Sequence, residues 1–287
     1  MRNKLTEEKI KEIQDFYKSK PMSLNFLAEK FGFCIPTIRK ALGDNVEIYP
    51  KNKIFNPNLN ERFFEDIDDE YKAYFLGLII ADGNVYDPND KSHSTEHKGS
   101  KWVSITLQDC DSYMLGIFRN KTGLSANVAS DGRGSSYIAV RSTIMADSLE
   151  KYGIIQRKSF NTVYPPGIRD DLHRHVIRGI IDGDGSIDAY FKYTSQDNRN
   201  RFKHKISCCG THRLMRDMID IISSHVNLTL MPHVYDYRNR ELSEFRIGNV
   251  QDMYNLGRWL YEGSNVFLKR KHDSFVEFSK NYNLEVV

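Results

Sequence analysis

Apolar positions in the first forty residues recur at helical spacing. Leu5, Ile10, Ile13, Phe16 and Tyr17 line one face of residues 5–18, Thr6 is placed to cap the first turn, and Pro21 stops the pattern. A second stripe (Leu24, Leu27, Ala28) and a third (Ile35, Ile38, Leu42) follow, separated by Gly32. From about residue 66 the period switches between helical and strand-like. Helical spacing over 66–82 gives way to a strand at 101–108 (KWVSITLQ), a helix over 110–122, strands near 126–129 and 136–141, and a helix over 143–153. The same order then returns: helix 170–184, strands 186–193 and 201–208, helix 211–225, strands 229–237 and 243–248, helix 250–261. A last helix is expected over 269–281. A duplicated helix-strand-strand-helix-strand-strand-helix unit accounts for this order and predicts an α+β fold.

Stretches without a period divide the chain. Residues 44–60 (DNVEIYPKNKIFNPNLN) hold two prolines and five asparagines and read as a connection. The expected organisation is therefore a helical domain over 1–48, a linker over 49–65, and two repeat halves over 66–160 and 161–287. The polar run 87–100 suits a long hairpin tip or an insertion. Within the first domain, Ala28 offers a small crossing residue and Gly32 a turn of positive φ. That is a helix-turn-helix pattern, and the outward residues of its second helix, Pro36, Thr37, Arg39 and Lys40, suit a major-groove edge and its phosphates. A plain helical hairpin has the same apolar pattern.

Composition removes several classes. With 40% hydrophobic and 28% charged residues the chain can build a packed core, so wholesale disorder is excluded. Its longest apolar run, near Leu76 to Ala81, stops at Asp82, far short of the ~18 residues of a membrane span. Met1-Arg2-Asn3-Lys4 leads straight into a charged helical pattern, so no secretory leader is expected. Cys34, Cys110, Cys208 and Cys209 lack CxxC spacing and read as reduced thiols, which predicts a cytoplasmic protein, nucleoid-associated if bacterial or phage. His93 and His97 stand four apart without the HExxH order, and no Walker loop or GxGxxG is present. The net charge of +3 says little, but basic clusters at 199–205 and 268–272, interleaved with aromatics, suit a phosphate-tracking groove.

The sharpest signal opens each repeat. AYFLGLIIADGNV (73–85) and HVIRGIIDGDGSI (175–187) superpose Gly77 on Gly179, Ala81 on Gly183, Asp82 on Asp184 and Gly83 on Gly185. Small residues four apart let two helices meet backbone to backbone. Gly83 and Gly185 are expected to end those helices in a left-handed conformation. The two aspartates would then lie together at helix C-termini, where each costs a few tenths to about 1 kcal/mol. A shared divalent cation beside a nucleic-acid phosphate would offset that cost. One Asp-Gly is an ordinary turn dipeptide. Two copies behind matching stripes are not.

These segments, FLGLIIADG (75–83) and IRGIIDGDG (177–185), resemble the paired motifs of the LAGLIDADG homing endonuclease family, and the resemblance runs over about 66–280. It implies a monomer of two pseudo-symmetric αββαββα halves whose saddle-shaped sheets grip double-stranded DNA. Asp82 and Asp184 would bind Mg²⁺ (or Mn²⁺) and assist hydrolysis of one strand each, with the carbonyls of Ala81 and Gly183 as further metal contacts. By the same analogy Lys158 and Lys271 are the basic residues near the cut, and Gln108 loosely matches a water-orienting position. The motif's sixth position is Ile80 in one copy and Asp182 in the other, a difference expected to change local packing or capping only. Specificity would come from alternating strand residues: Tyr190, Lys192, Arg199, Arg201, Lys203, Arg238 and Arg240. A site-specific double-strand endonuclease is the leading reading; a non-catalytic DNA-binding regulator or an RNA maturase on the same scaffold are the alternatives.

Overall fold

The computed structural model describes residues 5–19, 24–43, 58–88, 90, 99–156, 162–194, 199–237 and 242–286. The chain divides into two units, Met1–Leu59 and Asn60–Val287. In the first, α1 (Glu7–Ser19), α2 (Leu24–Phe31) and α3 (Ile35–Leu42) enclose Ile13, Tyr17, Leu27, Ile38 and Leu42. The Thr6 hydroxyl accepts from the Lys9 amide at 3.3 Å, as the capping pattern predicts. Gly32, between α2 and α3, has φ 69°. Arg39 and Lys40 are exposed on α3 and Thr37 is half-buried.

The second unit holds two matched halves. In the first, α4 (Glu70–Asp82) leads into β1 (Gly83–Tyr86) and β2 (Trp102–Gln108), then α5 (Ser112–Thr122), β3 (Ala129–Ser130), β4 (Ser135–Arg141) and α6 (Thr143–Glu150). In the second, α7 (His173–Asp184) leads into β5 (Gly185–Thr194) and β6 (Arg199–Gly210), then α8 (His212–His225), β7 (Val234–Asp236), β8 (Ser243–Ile247) and α9 (Val250–Tyr261). The helix α10 (Lys269–Asn281) follows. Both sheets are four-stranded and antiparallel, in the equivalent orders β1-β2-β4-β3 and β5-β6-β8-β7. Gly83 pairs with Ile105 and Gly185 with Cys208, so each motif glycine starts its sheet at the same register point.

Three sequence expectations are corrected. The strand β1 was not anticipated; four residues with only Val85 buried give too short an alternation to register. The border between units falls at Leu59–Asn60, and Phe63 and Phe64, in the stretch read as linker, are core residues packed on Phe118, the first edge-on and the second stacked. Gly83 and Gly185 are not left-handed: their φ values are −90° and −96°, because each helix passes directly into a strand. What they require is space. A Cβ would lie 2.6 Å from the Ile79 carbonyl oxygen in one case and 2.6 Å from that of Ile181 in the other.

Candidate functional site

The motif helices α4 and α7 form the seam between the halves. A Cβ on Gly77 would sit 2.1 Å from the Val176 carbonyl oxygen, and one on Gly179 would sit 2.2 Å from that of Tyr74. Only glycine permits this contact on both sides. The seam continues to the helix ends, where a Cβ on Gly183 would meet Ala81 Cβ at 2.3 Å and Asp82 Oδ2 at 2.9 Å. The Asp82 carboxylate therefore lies against the second motif. Ala81 and Ile80 share a cleft of about 210 Å³ with Asp184, Cys209 and Thr211. Asp184 is exposed and Asp82 half-buried. The neighbouring thiols stay neutral, since burial pushes both Cys208 and Cys209 above the ordinary thiol range.

Beneath the acids runs a buried polar network centred on two residues of α7, Asp182 and Arg178. Asp182, fully buried, accepts from Tyr74 of the other half at 2.8 Å, from the Leu268 amide at 2.7 Å and from Tyr261 at 3.3 Å. Arg178, also fully buried, donates to the carbonyls of Val266 and Leu260 and to Glu70 Oε1 at 2.8 Å. Glu70 further accepts from the Asn265 amide at 2.8 Å. Arg178 also donates to His175 Nδ1 at 2.7 Å. Burial, then the adjacent Arg178 charge, pushes the His175 imidazole down to about 4. Together these bonds fix the end of α9, the 262–268 loop and the start of α10 against the seam.

The sheet registers sort the strand residues by face. On the second sheet, Tyr190 lies opposite Lys203, Lys192 opposite Arg201 and Thr194 opposite Arg199, all of one alternation. The other alternation, with Ile187, Ile206 and Phe202, is covered by α10 through Phe278 and Tyr282. The outer face of this sheet is thus a basic and aromatic surface. The outer face of the first sheet carries Thr106, Gln108, Tyr137 and Arg141, with Arg141 over the Trp102 ring and Tyr86 stacked on Trp102 at 4.6 Å.

No family model and no curated protein matches the chain. Solved structures do. The meganuclease I-SmaMI, bound to uncleaveable DNA, aligns with a TM-score of 0.53 at 12% identity over 75% of this chain and 93% of its own. The LAGLIDADG homing endonuclease I-LtrWI, bound to target DNA, aligns with a TM-score of 0.53 at 13% identity over 78% and 92%. The chain has the LAGLIDADG homing endonuclease fold.

Within that fold the residues singled out from sequence meet different fates. Asp82, Asp184, Ala81 and Gly183 come together at the end of the seam of the LAGLIDADG helices. Tyr190, Lys192, Arg199, Arg201 and Lys203 share one exposed face, whereas Arg238 and Arg240 lie outside the described residues, as does Lys158. Gln108 is exposed at the end of β2, three residues beyond the partner of Gly83. Lys271 departs from its expected place at a phosphate. It is 4% exposed, and its ammonium donates to the carbonyls of Ile181, at 2.7 Å, and Gly185. It caps the C-terminal end of the second LAGLIDADG helix and so supplies the cation that this negative end requires. Burial holds its pKa below the ordinary lysine range. Asp182, expected to alter packing or capping, does both: it bridges the halves and receives the amide at the start of α10. Sequence reasoning missed Arg178, although an arginine on an otherwise apolar helix face was a visible signal.

Proposed function

We propose that this chain recognises a site in duplex DNA and cuts both strands by metal-assisted hydrolysis, Asp82 serving one strand and Asp184 the other. One observation carries the reading: acids 102 residues apart in sequence end at one seam, with the Asp82 carboxylate against Gly183 and Asp184 in a cleft shared with Ala81. The donor set suits a hard divalent ion such as Mg²⁺ or Mn²⁺, because it is all oxygen: two carboxylates and the carbonyls of Ala81 and Gly183. Among the described residues no three His, Cys, Asp or Glu side chains gather to enclose an ion. That fits an open site, to which water and phosphate oxygens bring the remaining ligands. When bound, the ion neutralises phosphate charge and acidifies water.

The protein's own part is positioning. Asp82 and Asp184 hold the ion, the glycine contacts fix their spacing, and Lys271 offsets the dipole of α7 beneath them. Lys158 would supply the positive charge near the cut in the first half. Phosphate contacts from Lys192, Arg199, Arg201 and Lys203 set affinity, and base-edge contacts select the site. Arg39, Lys40 and Thr37 of the first unit add a second DNA contact through α3, in helix-turn-helix manner. The related I-SmaMI has been solved on uncleaved DNA in the presence of calcium ions and on cleaved DNA, which supports the class of substrate and ion.

The test is to incubate the protein with randomised duplex DNA and Mg²⁺ and sequence the cut ends. One recurring site, cut on both strands and abolished by a chelator, is expected. Selective binding with no cutting in Mg²⁺ or Mn²⁺ would replace the endonuclease by a regulator.

A further inference from the structure

Two residues on the outer alternation of the basic sheet have the wrong sign for a surface that meets phosphates: Asp188, which lies opposite Lys205, and Glu244. Of the two it is Glu244 that is buried. Glu244 of β8 is 3% exposed and lies on the outer alternation of the second sheet, opposite Cys209 and Tyr235. Its carboxylate is clamped. Arg246 donates Nε–H to Oε1 at 2.8 Å and Nη2–H to Oε2 at 2.6 Å, the Tyr237 hydroxyl donates to Oε2, and Lys205 Nζ stands 3.7 Å from Oε1. The Arg246 hydrogen bond, with those of its neighbours, holds the Glu244 carboxyl at about 2, so it stays ionised at any working pH.

The consequence falls on Arg246, whose side chain is 53% exposed. A guanidinium has five N–H donors. Two are spent on Glu244, and even with one more against Tyr237 two remain. The bidentate pair fixes the guanidinium plane, so little rotamer freedom is left to lose on binding. It also cancels most of the charge that attraction to a phosphate would use. A fixed, charge-compensated fork of donors is suited to a base edge, and guanine presents O6 and N7 as the matching acceptors in the major groove.

We propose that Arg246 reads a guanine in the half-site held by the second half, and that Glu244 is the positioning residue that presents it. This rests on the DNA-cutting reading above. The register sets the place: Arg246 pairs with Ser207, next to the Cys208–Gly185 pair that follows Asp184. The guanine therefore lies toward the cut rather than at the outer end of the site.

The test is a binding selection from a randomised duplex library, without divalent metal, on the full chain and on Arg246→Ala, Arg246→Lys and Glu244→Gln. The unaltered protein is expected to prefer guanine at one inner position by roughly ten- to a hundred-fold. Arg246→Lys keeps the charge and the pairing with Glu244, so folding is preserved; both it and Arg246→Ala lose that preference and leave the other positions alone. The salt dependence of binding should hardly move in Arg246→Ala, whereas Lys192→Ala should lower its slope by about 0.9. Glu244→Gln should weaken the guanine preference while binding to unrelated duplex tightens, opposite signs that a purely structural role would not give. The proposal is overturned if Arg246→Ala leaves every preference intact, or weakens binding uniformly with the slope loss of a phosphate contact. A chain that enriches no duplex sequence at all would instead sink the DNA reading beneath it.

Discussion

Ile80 and Asp182 occupy the same place in the two motifs, yet one is an apolar seam residue and the other the centre of a buried network. Replacing Asp182 by leucine leaves the Tyr74 and Tyr261 hydroxyls and the Leu268 amide without this acceptor and removes a negative charge that favours the Lys271 ammonium, which should cost about 3–5 kcal/mol in denaturant unfolding. Ile80→Val, which removes one methyl group, should cost only about 1 kcal/mol. Equal losses would mean that Asp182 contributes packing alone. His175 adds a pH dependence. Its folded-state pKa, about 4, lies below the value of about 6.5 expected in the unfolded chain, so the unfolded state takes up the proton first on acidification. Stability should therefore fall as pH drops from 6.5 toward 4, and His175→Gln should flatten that limb of the melting curve. At this scale the aspartates were legible because Asp-Gly recurs behind matching stripes. The role of Lys271 was not: its partners are carbonyls nearly ninety residues away, which no local pattern records.

At the scale of elements, the seam of α4 and α7 decides the architecture. Gly179→Ala places a Cβ 2.2 Å from the Tyr74 carbonyl oxygen, and two backbones must separate to admit it. A loss of about 3 kcal/mol is expected in chemical denaturation, with slower cutting of both strands. The control is Gly116→Ala in α5, where a Cβ meets nothing within 4 Å; that change should stabilise by about 0.5–1 kcal/mol through helix propensity. Helix positions were readable from period and caps, and α4, α7, α8 and α9 fall close to their expected spans. Short strands were not. Residues 229–237 yield a strand only at Val234–Asp236, where pairing with β8, rather than local alternation, sets the limits. Register was likewise invisible in sequence, and register is what brings Tyr190, Lys192, Arg201 and Lys203 to one face.

Across the whole molecule, two halves of one topology carry unlike surfaces: aromatic and polar with Arg141 on the first sheet, strongly basic with Arg246 clamped on a buried Glu244 on the second. On the proposed reading each half contributes one acid to a shared centre and its own sequence preference to a composite site. On the same reading the first unit, Met1–Leu59, adds a second DNA contact. Deleting residues 1–48 should weaken or relax target binding without stopping the chemistry, which a comparison of binding and single-turnover cutting would reveal. The division of labour between the acids is tested most directly by strand-resolved cleavage of a labelled target by Asp82→Asn and Asp184→Asn. Each variant should bind its target nearly as the unaltered protein does, lose double-strand cutting, and leave at most a nick, on opposite strands in the two cases. Double-strand cutting at an undiminished rate by either variant, or nicks confined to the same strand in both, would contradict the account.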